Sequence, residues 1–509
     1  MIFLNTIKQN DVREKILREK GMKEMKQIKK LATLVLALVM CFAMGMTAFA
    51  ADATTKLTVE GDSSESFKGY LLMTATNSGD KYAYTVNAKY SSILQTAANK
   101  TSDADVIAYI SGLDADGMRT FADKTYRAIL KNKLGEDKAF KGGTIADVKQ
   151  GYWLIADVTN VDAKEGAANS MVMIKTAGET AVTFKTKKET PKVEKKVKDV
   201  DDTKGTTSGW QDNAEFDVGD EMDFQLTGTV ASNISSYKSY YYEFHDTMTN
   251  MTYVAKSYTV QIDGQTVTSS FTPSWDASTK KLSFKCENIL SISGVNVTKD
   301  SKVVVTYKAT LDESAVVGTN GNPNTVYLQY SNNPYSDEDG KPTTGNTPKD
   351  TVIVFTFDAV VNKINSSKEP LNGAGFTLYK KVNSTWNKVG DEITGQTTFT
   401  FHGLDEGSYK LEETTVPPGY NKAKDIEFSI EAVYDADGSL KELKSDNTIF
   451  KATLNITTGK VEADVVNNSG SILPETGGIG TTIFYLLGGL LMIVAVVLLV
   501  TKRRMSSEK

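Results

Sequence analysis

"FDAVVNKIN", residues 357–365, and "VEADVVNN", residues 461–468, decide how this chain is read. Both alternate with the two-residue period of a strand. The first places Phe357, Ala359, Val361 and Lys363 on one face, and the second does the same for Val461, Ala463, Val465 and Asn467. Between them "GSYKLEETTVPPGY", residues 407–420, puts Tyr409, Leu411 and Glu413 in phase. A lysine, a glutamate and an asparagine therefore point toward one apolar core, where a lone charge is costly. Taken singly, each also fits a strand end whose side chain snorkels to the rim. Together they suggest a reaction. Burial lowers a lysine's pKa and raises a glutamate's. That leaves an amine nucleophile and an acid able to polarise the Asn carbonyl and shuttle a proton. Attack joins the two strands through an amide and releases ammonia, and the uncharged product removes the desolvation cost.

The same strand periodicity extends upstream. Residues 191–350 are rich in Thr, Val, Tyr and Ser, with alternating runs such as "KVVVTYKATL" and "NTVYLQYS" that indicate a β-sandwich. The polar stretch "NNPYSDEDGKPTTGNTPKD" closes that unit. Residues 51–190 are mixed. "DADVIAYISGLDADGMRTFADKTYRAILKNKL" has Asp cap candidates and helical apolar spacing, whereas "GYWLIADV" and "SMVMIKT" read as strands. The expected fold class is mainly β: an N-terminal α+β domain over 51–190, then tandem immunoglobulin-like sandwiches over 191–350 and 351–470.

Both ends of the chain are apolar. Lys23, Lys26, Lys29 and Lys30 precede the run Leu31 to Met46, and "TAFA" follows with small residues at Ala48 and Ala50. This is the pattern of a signal peptide over 1–50, cleaved before Ala51, with a long leader in which Met22 or Met25 could be the start. A membrane-spanning N-terminal helix is the competing reading; the shortness of the run disfavours it. At the other end, Ile479 to Val500 carries no charge and is long enough to cross a bilayer. Lys502, Arg503 and Arg504 then hold the tail on the cytoplasmic side. A permanent anchor needs nothing more, so "LPETG" at 473–477, within the segment 471–509, is left unexplained by membrane physics.

Composition narrows the function. Between the apolar ends lie roughly 420 residues, enough for about three domains. A net charge of −5 gives no basic footprint for nucleic acid. The chain has 2 cysteines, Cys41 in the signal segment and Cys286 alone, so disulfides cannot brace the exported part. With 2 histidines, His245 and His402, a His-ligated metal site is disfavoured. No phosphate loop stands out, and no metal or cofactor is expected.

"LNGAGFTLYK" and "LDEGSYKLEETTVPPGY" resemble the collagen-adhesin B-type (Cna_B) repeat, including its E-box, as found in Gram-positive pilins. The resemblance implies an isopeptide bond between Lys363 and Asn467 with Glu413 as the catalytic acid; Glu412 and Asn468 are the out-of-phase alternatives. The middle region resembles the second domain of fimbrial backbone proteins through "TPKVEKKVKD", "VGDEMDFQLTGTV" and "YYYEFHDTM". There Lys195 is the expected amine and Asp246 replaces the glutamate. In "NPNTVYLQYSNNP", Asn324 and Asn332 are both in phase, with Asn324 favoured. His245 reads as a solvent-facing neighbour of Asp246. Treated like a disulfide, closing a loop of about 100 residues would contribute roughly 4.7 kcal/mol through the unfolded state.

"LPETG" followed by an apolar run and a basic tail resembles the sorting signal read by sortase transpeptidases. By that resemblance Leu473, Pro474, Glu475, Thr476 and Gly477 are recognised, and the chain is cut between Thr476 and Gly477. The acceptor amine then decides function. Peptidoglycan would give a wall-anchored monomer, and a lysine of another copy a polymer. The place of the backbone-pilin lysine motif reads "VTFKTKK" here, a degenerate match that favours Lys187, with Lys188 and Lys192 behind it and a solvated basic linker as the plain alternative. The leading reading is a structural major pilin subunit, a sortase substrate rather than an enzyme, with ligands on host or neighbouring cells left open. A wall-linked adhesin or minor pilin is second, and a surface hydrolase is third.

Overall fold

The structure is a computed structural model that describes residues 53–78, 81–336, 343–452, 456–470 and 479–506. The expected signal segment 1–50 and the LPETG stretch 473–477 lie outside the described residues.

The first domain sets a helical layer on a sheet. Thr54–Val59 lies between Ile145–Lys149 and Ala181–Phe184, and a second sheet runs Lys81–Val86, Ser66–Ser78, Gly151–Asp157, Met171–Lys175. Three helices, Ser91–Ala98, Asp103–Ser111 and Ala115–Lys131, cover this second sheet. Local chemistry sets their starts. The Ser102 hydroxyl accepts from Asp105 N at 3.2 Å, and the Asp114 carboxylate accepts from Gly117 N at 2.8 Å. Ala115–Lys131 then buries Phe121, Ala122, Thr125, Tyr126 and Ile129, the stripe that helical spacing requires.

The second domain is a sandwich of two seven-stranded sheets. One has Val193–Asp201, Glu221–Thr229 and Lys302–Leu311 side by side. The other has Asp350–Phe355, Asn322–Ser331, Tyr242–Met248 and Lys281–Cys286. Burial alternates along Lys302–Leu311 residue by residue, so Val303, Val305, Tyr307, Ala309 and Leu311 all enter the core. The sequence puts the end of this domain at residue 350, after the polar stretch that follows Asn322–Ser331. Instead Asp350–Phe355 adds at its edge, pairing Val352 with Asn324, and buries Val352 and Val354 in the second core. The boundary therefore falls after this strand. Which sheet this strand joins depends on long-range pairing that its own residue pattern does not encode.

In the third domain Phe357–Asn365 runs parallel to Lys460–Asn467 and antiparallel to Thr398–Leu404. The facing sheet is Thr385–Thr394, Gly375–Val382, Gly407–Thr415, Ile426–Tyr434, Leu440–Lys444. The first and last strands of the domain thus lie side by side in register, Lys363 opposite Val465 and Asn365 opposite Asn467. Beyond it, helix Ile479–Ser506 contains an apolar span, Ile483–Arg504, with mean hydropathy 2.9, long enough to cross a membrane.

Both domain junctions are built contacts. Tyr335, from the second domain's loop, is buried in the first domain's helical core, edge-on to Tyr126 at 4.8 Å and under the Arg127 guanidinium. At the other junction, Gly318 and Gly459 both have positive φ, and a Cβ on Gly459 would sit 2.2 Å from Gly318 N. Only glycine permits this backbone approach.

Candidate functional site

The third domain brings Lys363, Glu413 and Asn467 together. All three are essentially excluded from solvent. Strand phase does this, because each lies on the inward face with Val361, Leu411 and Val465. Lys363 Nζ donates to Val465 O at 2.9 Å and lies 3.8 Å from Glu413 Oε1. The same Oε1 accepts from Asn467 Nδ2 at 2.7 Å, and Glu413 Oε2 accepts from Ala423 N at 2.6 Å. Asn467 Oδ1 is buried with no partner among the described residues. Burial pulls the Lys363 amine below its ordinary range, against the opposing charge of Glu413. The out-of-phase alternatives lie elsewhere. Glu412 pairs with Lys422 at the surface at 2.9 Å, and Asn468 is exposed.

The second domain repeats the arrangement with different parts. Lys195, on the domain's first strand, is fully buried and donates to Asp246 Oδ2 at 2.5 Å. It also donates to the Tyr307 hydroxyl at 2.7 Å. Tyr307 donates to Asp246 Oδ2 at 2.6 Å and accepts from Asn324 Nδ2 at 2.9 Å. Phe224 stacks on the Tyr307 ring at 5.4 Å, and Lys195 Nζ lies 5.0 Å from the Phe224 centroid, so the amine sits in an aromatic box. Asp246 Oδ1 and Asn324 Oδ1 are buried without partners among the described residues. Burial pulls the Lys195 amine down, with Asp246 opposing. Asn332, the in-phase alternative, is taken up at the first-domain junction, where Nδ2 donates to Val161 O at 2.6 Å. His245 points away from the core, stacked on Tyr327 and 3.1 Å from Gln329 Oε1.

Sequence reasoning did not find Tyr307. It reads as an ordinary core aromatic, and the available signal was that a buried tyrosine hydroxyl demands a partner. A third buried lysine was also missed. Lys380 Nζ lies 2.8 Å from Asp202, 2.5 Å from Asp217 and 3.1 Å from Asp405, which ties the second domain to the third. Burial alone would lower this amine, but the carboxylates of Asp405, Asp217 and Asp202 outweigh it and hold the amine above its ordinary range. In "LNGAGFTLYK", Lys380 is in phase with Phe376 and Leu378, the same cue that marked Lys363.

Lys187 is exposed in the extended segment between Ala181–Phe184 and Val193–Asp201, at the seam of the first two domains. Lys188 is exposed and 3.3 Å from Glu65, and Lys192 is exposed. Among the described residues of the first domain, no lysine is buried.

Comparison with known proteins agrees with this architecture. Residues 358–461 match the SpaA prealbumin-like fold domain, and residues 466–507 match the LPXTG cell wall anchor motif. The trypsin-resistant surface T6 protein of Streptococcus pyogenes serotype M6 is 29% identical over 39% of this chain and 48% of its own length. The chain therefore spans about half of that relative. The T6 backbone pilin structure from the same serotype, a modular three-domain protein, superposes with TM-score 0.53 at 17% identity, covering 83% of this chain and 100% of that one. The major pilin SpaD of Corynebacterium diphtheriae gives TM-score 0.43 at 14% identity over 84% of this chain and 100% of its own. A SpaA prealbumin-like domain runs directly into an LPXTG anchor, within the fold of a three-domain Gram-positive backbone pilin: the chain is a cell-wall-anchored surface protein.

Proposed function

We propose that this chain is the repeating structural subunit of a sortase-built pilus, and that its second and third domains are each closed by an internal Lys–Asn isopeptide bond. In the third domain, neutral Lys363 Nζ attacks Asn467 Cγ. The Nζ–Cγ bond forms, the Cγ–Nδ2 bond breaks, and one proton passes from Nζ to the departing nitrogen, which leaves as ammonia. Glu413 is placed to carry that proton, since one of its oxygens faces both nitrogens. In the second domain the partners are Lys195, Asn324 and Asp246. Polymerisation joins Thr476 of one copy, after cutting before Gly477, to an exposed lysine of the next. Lys187 is the candidate, with peptidoglycan as the terminal acceptor.

One observation carries the reading: two successive sandwiches each hold a solvent-free lysine, carboxylate and asparagine joined through a shared oxygen, Glu413 Oε1 in one and the Tyr307 hydroxyl in the other, ahead of a wall anchor. A trypsin-resistant relative accords with crosslinked domains. The test is the intact mass of the ectodomain, expected two ammonia molecules below the sum of its residues; full mass overturns the crosslinks. Blots of wall extracts test the polymer. An SDS-resistant ladder supports the pilus, whereas a single band reassigns the chain to a non-polymerising wall adhesin. Peptide mapping of the ladder identifies the residue joined to Thr476.

A further inference from the structure

The two sites solve the same proton problem with different reach. Forming the amide requires moving one proton from the attacking nitrogen to the leaving nitrogen. In the third domain Glu413 Oε1 spans the gap alone, 3.8 Å from Lys363 Nζ and 2.7 Å from Asn467 Nδ2. In the second domain the carboxylate is one methylene shorter. Asp246 Oδ2 reaches Lys195 Nζ at 2.5 Å, but Asn324 Nδ2 bonds instead to the Tyr307 hydroxyl. That hydroxyl touches all three groups: Nζ at 2.7 Å, Nδ2 at 2.9 Å and Asp246 Oδ2 at 2.6 Å.

Resting on the isopeptide reading above, we propose that Tyr307 is a catalytic residue of the second domain. Its hydroxyl relays the proton from Lys195 Nζ to Asn324 Nδ2, so that an Asp–Tyr pair does what a single glutamate does in the third. As Nζ bonds to Cγ, the Tyr307 oxygen takes a proton from Nζ and gives its own to Nδ2, which becomes pyramidal and basic as the carbonyl is attacked. The Nζ–Cγ bond forms, the Cγ–Nδ2 bond breaks, ammonia leaves, and Tyr307 ends as it began. The aromatic box keeps the ring fixed, with Phe224 stacked on one side and Phe284 at 5.7 Å. Burial raises the phenol's pKa well above its ordinary value, so it stays protonated and able to donate.

The experiment is Tyr307→Phe in the full ectodomain, followed by mass and peptide mapping over time. The third-domain bond serves as the internal control. Loss of a general acid–base relay should slow the second-domain bond by on the order of 10²-fold or more, leaving freshly purified protein one ammonia heavier than wild type. Asp246→Glu combined with Tyr307→Phe should restore the bond, because the longer side chain spans both nitrogens. A purely structural tyrosine would not be replaced in this way. Site-specific difluorotyrosine at position 307 preserves the shape with a more acidic hydroxyl, and should shift the pH dependence of the second-domain bond alone. Crosslinking of Tyr307→Phe at the wild-type rate overturns the relay. So does a folded but unreacted double variant, or an unshifted profile with difluorotyrosine. If wild type itself lacks both ammonia losses, the isopeptide reading fails rather than the role of Tyr307.

Discussion

Lys195 and Lys363 each sit in a core beside one carboxylate and one amide, whereas Lys380 sits between domains among three carboxylates. All three are almost wholly enclosed. Burial pulls the first two amines down, and the surplus of negative charge pushes the third up. Enclosure alone therefore does not make a nucleophile; the number of facing charges decides whether a buried lysine is a reactant or a permanent counter-ion. On the proposed chemistry, the chain would use one outcome inside its domains and the other between them.

The sharpest attack on this contrast is Glu413→Ala. The third domain should fold but stay uncrosslinked, losing about 4.7 kcal/mol in the chain-entropy account of a loop of about 100 residues. Calorimetry and trypsin digestion read this loss, and unchanged resistance breaks the reactant side of the comparison. Next comes Lys380→Met, which keeps the volume but strands three carboxylates. Removing one partner of a buried ionic group costs about 3–5 kcal/mol. It should loosen the second domain from the third in small-angle scattering while both ammonia losses persist. A missing crosslink would mean that the three lysines are not independent.

A pH titration probes the same junction. Burial, then the charge of Asp199, raises Glu215 to about 8 beside Tyr434 of the third domain. The unfolded carboxyl ionises near 4.5. Below that pH both states hold the proton and no penalty arises. As pH rises from about 4.5 to about 8 the unfolded state releases its proton first, so stability falls across that window and levels off above it. Glu215→Gln should flatten the slope measured by thermal melts. The smallest effect is expected for Glu412→Ala, which removes surface contacts with Lys422 and Tyr379. It should cost less than about 1 kcal/mol and leave the crosslink intact, separating position 413 from its neighbour by mass spectrometry.

Much of this was legible because a strand has a period of two. Once Val361, Leu411 and Val465 are assigned to the core, Lys363, Glu413 and Asn467 must follow them inward. The same alternation puts Lys195 in phase with Val197, whereas Asp246 is marked only by the resemblance of its strand to the fimbrial one. What alternation cannot supply is the choice of partner across a sheet. The place of Asp350–Phe355 beside Asn322–Ser331 depends on long-range pairing. Nor could it tell Asn324 from Asn332, since both are buried; the first-domain loop claims one of them. Tyr307 and Lys380 were visible by phase but gained their roles only from what faces them.

The placement of Lys187 bears on where tension runs. With that residue as the acceptor, a pull along the fibre enters at the seam after the first domain and leaves through Thr476, crossing only the two domains that hold the triads. In that arrangement residues before the seam would hang beside the load path. A domain that never carries the strain has no use for a covalent clasp, and among its described residues the first domain buries no lysine from which to make one.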